Sequence, residues 1–204
     1  MQRSQNSFEQ LNWMLEERML GYLDPGIEKL LDYINGFKAI ETTSSCVGRI
    51  SIIESRFPWE RREDSRIVFK KHSEVTPEEI AQVMVRFDTT LWLKVTGPIL
   101  HLRVYKPECA SEVLRMARMS GFKHSGAISM GDSIIVEIHS PTQMVVPLRI
   151  NGLIVIRGDA LRSVARMAND ILKEGRSRLN RLIRNMLCKS FREVCDAEDD
   201  FSSY

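Results

Sequence analysis

Eleven glycines are spread along the 204 residues, at positions 21, 26, 36, 48, 97, 121, 126, 131, 152, 158 and 175, and no two are separated by a single residue. That spacing removes whole classes of fold. A GxGxxG turn needs one glycine for the tight turn and another two positions on, so that backbone can approach a pyrophosphate, and a phosphate loop needs GxxxxGK. Neither pattern occurs. A doubly wound nucleotide-binding fold built on such a loop is excluded, and any nucleotide-like ligand has to be held another way.

The order of elements points in the same direction. Phe8, Leu11, Leu15 and Met19 recur at three- and four-residue spacing, and DPGIEKLLDYIN repeats the helical pattern behind a proline suited to a first turn. Two N-terminal helices are predicted. The runs GRISIIES, SRIVFKKH, TLWLKV and ILHLRVY are short and β-branched or aromatic, and TPEEIAQVMVRF interrupts them as a helix with Thr76 as its cap and Glu79 as capping-box partner. PECASEVLRMARMSGF is a second interposed helix, ended by Gly121. SGAISM and SIIVEIHS flank Gly131-Asp132, a two-residue hairpin signal, and MVVPLRI and LIVI supply further strands. From Asp159 to about Val194 the chain reads as one long helix or a broken pair, with Leu161, Val164, Ala168, Ile171, Leu172, Leu179, Leu182, Ile183 and Met186 as its apolar stripe. Strands and helices neither alternate strictly nor segregate, which predicts an α+β fold with a mixed or antiparallel sheet. Residues 1–195 are expected to form one domain, with an acidic, flexible tail over 196–204.

The net charge of +2 conceals an uneven distribution. Between Arg157 and Arg192 ten Lys or Arg residues stand against three acidic ones, an excess of seven that the tail DAEDDF masks. Arg162, Arg166, Lys173, Arg176 and Arg184 fall at spacings that bring them toward one side of a helix. Such a stripe is either a solvated amphipathic face or a row of phosphate contacts. Trp59, in SRFPWERREDSR, lies beside Arg56, Arg61, Arg62 and Arg66, and is either a loop anchor or a stacking platform for RNA. The four cysteines, Cys46, Cys109, Cys188 and Cys195, form no CxxC pair and no disulfide framework, so a reducing compartment, the cytoplasm, is expected. The N-terminus carries charges throughout, unlike a signal peptide, and no segment approaches the roughly 18 apolar residues of a membrane span. His72, His101, His124 and His139 are far apart, so no metal site is expected.

Two small-polar clusters remain. TTSSCVGR, Thr42 to Arg49, is too polar for a core strand and reads as a loop whose amides and hydroxyls can cradle an anionic or carboxylate group, with Arg49 adding a bidentate contact. A capped turn is the plainer alternative. A cysteine-phosphatase loop would require five residues between Cys46 and the arginine, and position 52 is Ile52. SGFKHSGAIS brackets two glycines with Ser120, Ser125 and Ser129 just before the hairpin, a turn of unusual backbone angles. His101, in PILHLRV, alternates with leucines and so faces a half-polar sheet surface.

Taken in order, LDPGIEKLLDYIN, TTSSCVGRI, LKV, PILHLRV, SGFKHSGAI, VVPLRINGLIVI and a long basic helix resemble the tRNA wybutosine-synthesising protein 3 family, from about Leu20 to the C-terminal helix. The resemblance implies a family-specific α+β fold, distinct from Rossmann-type methyltransferases. The implied activity is methyl transfer from S-adenosyl-L-methionine to N4 of a 4-demethylwyosine-type base at position 37 of phenylalanine tRNA. It matches Thr42, Thr43, Ser44, Ser45, Cys46, Gly48 and Arg49 to the family's TTSSCxGR motif, and Ser120, Gly121, Phe122, Ser125 and Gly126 to its SGFxxSG motif. Asp24 matches the acidic residue before the second helix, and Lys94 and His101 the Lys and His of the central hairpin. Asp24 or His101 is then the expected base. Thr43, Ser44, Ser45, Cys46, Gly48, Arg49, Lys94, Ser125 and Gly126 are expected to form the cofactor and base pocket. Trp59, Arg61, Arg62, Arg162, Arg166, Lys173 and Arg176 are expected to meet the tRNA anticodon loop, with no metal, DNA or membrane involved. The chain departs from the family in reading Thr96-Gly97 where Glu-Pro is common. A non-catalytic RNA-binding accessory role is the alternative.

Overall fold

Three of the apolar runs pass through a short break of small residues into a second run, and each pair folds as one bent strand. The computed structural model describes residues 27–196; the predicted helix over Phe8–Leu20, Asp24 and the acidic tail from 197 onward lie outside the described residues. In chain order the elements are α1 Glu28–Asn35, β1 Ile40–Cys46, β2 Arg49–Glu54, a short 3-10 turn Arg62–Asp64, β3 Arg66–Lys71, α2 Pro77–Arg86, β4 Leu91–Thr96, β5 Ile99–Val104 and α3 Pro107–Met119. They continue as β6 Gly126–Met130, β7 Ile134–His139, β8 Gln143–Ile150, β9 Leu153–Ile154, α4 Asp159–Met186 and α5 Lys189–Asp196. Two antiparallel sheets result, in the orders β1-β5-β7-β6 and β3-β2-β4-β8-β9, so the fold is α+β as predicted.

The sheets are joined because β1 runs into β2, β4 into β5 and β7 into β8, and the partners stay together across the break. The Gly97 N–H donates to the Thr142 carbonyl at 2.8 Å, and the Ser140 N–H to the Pro98 carbonyl at 3.0 Å. Only glycine fits this crossing. A Cβ at Gly97 would lie 2.6 Å from Ser140 Oγ and closer still to Thr142 Oγ1, and Gly48, at φ +94°, would place one 2.9 Å from the Thr96 carbonyl. Gly175, in the middle of α4, presses onto the same spot, where a Cβ would stand 2.8 Å from Pro98 Cδ and from Thr142 Oγ1.

The 28-residue α4 therefore spans both sheets. Its first half, Leu161, Ala165, Ala168 and Leu172, packs with α2 against Ile50, Ile52, Leu91, Leu93, Val95 and Leu148. Its second half, Leu179, Leu182 and Met186, joins a second core in which α1, α3 and α5 cover Leu100, Leu102, Val104, Val136 and Ile138. The capping box of α2 forms as predicted, with the Glu79 N–H donating to Thr76 Oγ1 and the Thr76 N–H to Glu79 Oε2. The helical stretch after Asp159 is a broken pair, interrupted at Leu187 and Cys188.

Three expectations are corrected. TTSSC is not a loop: Ile40–Cys46 is the edge strand β1, and its polar side chains are tolerated because an edge strand has one face and one flank open to solvent. The β6–β7 connection is three residues, Gly131 to Ser133, whereas the true two-residue hairpin is Asn151-Gly152 between β8 and β9, where φ is +48° and +82° as a type I′ turn requires. Cys109 and Cys195 are not reduced but form a disulfide between α3 and α5, both fully buried, with Cα atoms 5.0 Å apart. Their separation of 86 positions hides the pairing from a reading based on spacing.

Two measurements test this construction. Gly97→Val should lower stability by about 1–3 kcal/mol through overpacking, read as a lower denaturant midpoint. Replacing both Cys109 and Cys195 by serine should cost about 2–4 kcal/mol, because the bond closes a long loop, and added reductant should then have no further effect on the variant.

Candidate active site on the outer strand face

Strand alternation divides the residues of the bent strands between two faces. Leu100, Leu102, Val136 and Ile138 face the helices, so His101 and Glu137 face away from them. Ser44, His101, Glu137 and Gly126 are successive partners across β1, β5, β7 and β6, one lateral row over the whole first sheet. A β-bulge produces the first member. Thr42 pairs with Leu102, the register shifts, and Ser44 rather than Thr43 faces His101. The spare Thr43 hydroxyl donates to the His101 carbonyl at 3.2 Å, so both hydroxyls converge on one histidine.

The hydrogen bonds along this row fix the imidazole. His101 Nε2 is 2.9 Å from Glu137 Oε2, and His101 Nδ1 is 2.6 Å from Ser44 Oγ. A carboxylate only accepts, so Nε2–H donates to Glu137, and in neutral His101 the Nδ1 lone pair receives the Ser44 hydroxyl. Ser44 is exposed, and the His101 and Glu137 side chains keep 28% and 32% of their surface in contact with solvent, enough for a ligand to reach them. At the far end Gly126 leaves open space, with no atom within 4 Å of where a Cβ would be. The two motifs singled out in the sequence are thus the two ends of one row.

Further along the same face come Cys46 beside Ile99, then Arg49 opposite Thr96, then Lys94 between the core residues Leu93 and Val95. Among the described residues the side chains of Arg49 and Lys94 have no ion-pair partner, and Thr96, the strand partner of Arg49, supplies no carboxylate. Cys46 is not disulfide-bonded. The face therefore offers hydroxyls, a thiol and an imidazole at one end and two cations at the other.

Other predicted residues lie elsewhere. Ser45 pairs with Leu100 on the helix-facing side of β1, and Gly48 serves the strand crossing. Ser125 is buried and spends its hydroxyl inside the turn, donating to the Phe122 carbonyl at 2.9 Å and accepting the His139 N–H at 3.1 Å. Trp59 is 76% exposed and stacks on Phe57 at 5.3 Å, with the Arg56 guanidinium over the Phe57 ring and Arg61 and Arg62 exposed beside it. The basic helix is on the opposite side of the strands from His101. There Arg162 pairs with Asp159, Lys173 with Glu74 at 2.9 Å, and Arg176 donates to the His72 carbonyl, while Arg166 is exposed. An open polar cleft of about 780 Å³ at the other end of the second sheet, lined by Glu54, Arg56, Arg66, Asp88 and Asn151, contains none of the row. Hydrogen bonds from Thr89 and Arg66 hold the Glu54 carboxyl in it below the usual carboxylate range. Among the described residues there is no His/Cys/Asp/Glu cluster that could hold a metal, and no helix is long and apolar enough to cross a membrane.

Residues 2–187 match the family described as Methyltransferase TYW3. The chain belongs to that family. It is 46% identical over 175 residues, 85% of this chain and 93% of the relative, to the tRNA(Phe) 7-((3-amino-3-carboxypropyl)-4-demethylwyosine(37)-N(4))-methyltransferase of Aeropyrum pernix. A relative of the same description from Saccharolobus solfataricus is 33% identical over 183 residues, covering 88% of this chain and 87% of its own. The fold is similar to that of the PH1069 protein of Pyrococcus horikoshii, at TM-score 0.81 and 31% identity over 90% of this chain and 95% of that one. A hypothetical protein from Aeropyrum pernix aligns at TM-score 0.75 and 41% identity, over 85% of this chain and all of its own.

His101 and Ser44 were singled out in the sequence as candidates, whereas Glu137, their neighbour in the row, was not. The alternation in SIIVEIHS was its signal: a lone acid between Val136 and Ile138 has to lie on the face that the core does not use. Ser125→Ala should cost about 1–2 kcal/mol of stability by removing a buried hydroxyl with two partners. Binding of S-adenosyl-L-methionine, measured by calorimetry, should be unchanged in that variant.

Proposed function

We propose that this chain methylates N4 of a 4-demethylwyosine-type base at position 37 of phenylalanine tRNA, using S-adenosyl-L-methionine. The observation that carries the reading is the Ser44–His101–Glu137 row, which leaves a hydrogen-bonded imidazole on an accessible face with open space at Gly126. Membership of the methyltransferase family and the printed activity of its relatives set the reaction class.

The donor set suits the cofactor. Arg49 and Lys94 would hold its carboxylate, and Thr43, Ser44 and Cys46 would meet its hydroxyl and ring nitrogen groups. When bound, S-adenosyl-L-methionine supplies an electrophilic methyl group. The acceptor nitrogen must lose a proton, and His101 Nδ1, through the Ser44 hydroxyl to which it is hydrogen-bonded, would receive it. Fixing donor and acceptor on one rigid strand face removes much of the entropic barrier to direct transfer. Nothing in this arrangement needs Cys46 as a nucleophile.

The base at position 37 has to leave the anticodon-loop stack to reach the row, which a single-stranded loop makes cheaper. The Phe57–Trp59 pair with Arg56, Arg61 and Arg62 is suited to stack on and neutralise that loop. A tRNA substrate would be met in the cytoplasm. An accessory RNA-binding role would use the same aromatic loop without the imidazole row.

Incubation with S-adenosyl-L-methionine and tRNA carrying the demethylated base should add one methyl group, seen by mass spectrometry of the nucleosides. Cys46→Ser should keep measurable methylation, whereas Arg49→Ala should lose at least about tenfold in cofactor affinity, the 1.4 kcal/mol or more expected of a charge-assisted contact. Binding of tRNA without any mass gain would leave the accessory role as the correct reading.

A further inference from the structure

We propose that Glu137 is the positioning residue of this reaction, an assignment that rests on the methyltransferase reading above. Glu137 does not face the substrate side of His101; it holds the opposite ring nitrogen, at 2.9 Å from Nε2, while Nδ1 is turned to Ser44. That contact decides what the imidazole can do. With Nε2–H committed to the carboxylate, Nδ1 carries the free lone pair and can accept a proton, and the imidazolium then formed is stabilised by the charge beside it.

The proton path follows from the two distances. As the N4–H bond of the base breaks, its proton passes to the Ser44 oxygen while the Ser44 proton passes to His101 Nδ1. The electron pair left on N4 takes the incoming methyl group, and Glu137 remains a carboxylate throughout. His101 ends doubly protonated, and loss of one proton to water resets it.

A surface ion pair present only for stability is the competing account, and such pairs contribute little. The fold argues against that account. The apolar neighbours Val136 and Ile138 anchor β7 in the core, so its pairing has no need of an acid at 137. The neighbouring position on β6 is Gly126, which leaves one flank of the carboxylate open rather than closing a packed salt bridge. Arg103 on the same face is already paired, with Glu41 at 3.3 Å. Glu137 is thus spent on His101.

The test compares the unmutated protein with Glu137→Gln. Glutamine keeps the size of the side chain but can donate a hydrogen bond to Nε2, which favours the other tautomer. The expected result is a fall in kcat of about 100-fold or more. KM for tRNA, cofactor affinity and melting temperature should stay within error, and ¹⁵N NMR should show the His101 proton leaving Nε2 for Nδ1. A kcat within threefold of the unmutated value, an unchanged tautomer, or a loss shared with cofactor affinity or melting temperature would overturn the assignment. Failure of the unmutated protein to methylate tRNA would remove the reaction and with it this role. Methylation by both proteins at equal rates would remove the role of Glu137 alone.

Discussion

The close approach at Gly97 is the contact on which the molecule depends. Two sheets that share three strands must bend all three at one level, and the bend brings the backbone of residues 97 and 98 within hydrogen-bond reach of residues 140 and 142. Ser140 and Thr142 fill the remaining space and bond each other at 2.7 Å, so there is room for no side chain at 97. The long helix can lie across both sheets as one continuous element because Gly175 meets this point. One such glycine in a helix interior costs about 1 kcal/mol against alanine. Here the price is offset by continuous burial on both sides, from Leu161 to Met186.

The same crossing accounts for the distribution of chemistry. With α4 and the other helices on one side, apolar residues collect at inward positions and polar ones at outward positions along Leu100-His101-Leu102 and Val136-Glu137-Ile138. Because the strands continue through the bend, Ser44, Cys46 and Arg49 belong to one chain segment that passes from the first sheet to the second. Hydroxyl, thiol and guanidinium groups are thereby spaced along a ligand rather than gathered around a point. An extended molecule with an anionic end suits such a face better than a compact ion.

Much of this was legible in the sequence, and the parts that were not share a cause. Helices with local signatures were read correctly: Thr76 and Glu79 form their box, Gly121 ends α3 at φ +95°, and the basic stretch is helical. What failed depended on partners remote in sequence. TTSSC looks like a loop by composition, and is a strand because β5 pairs with it 57 residues later. The disulfide joins residues 86 apart, and Glu137 meets His101 only when β7 is laid beside β5. Gly97, which looked like a departure from a family pattern, is the tightest point of the fold.

The helix that carries the basic stripe, α4, also has a structural task, separate from the phosphate contacts expected of the stripe. Arg176 reaches the His72 carbonyl, Arg178 the Gly121 carbonyl at 3.0 Å, Asn169 both backbone groups of Val75 at 2.9 Å, and Asn185 the Ser120 hydroxyl at 2.9 Å. These contacts tie loops from both halves of the molecule to one rod on either side of Gly175. Carbonyls at turns and helix ends have no partner in their own element, and a guanidinium can satisfy them while its charge remains near solvent. Clustered cations on a long helix are therefore what a clamp requires as much as what a phosphate surface requires. Since the clamp is on the helix side and the imidazole row on the other, the helix can be bound rigidly to every layer without obstructing the face where a base would enter. A slip of one residue in β5 would exchange the two faces and bury His101, so the packing of Leu100, Leu102 and Val104 in the core that fixes the register also keeps the row exposed.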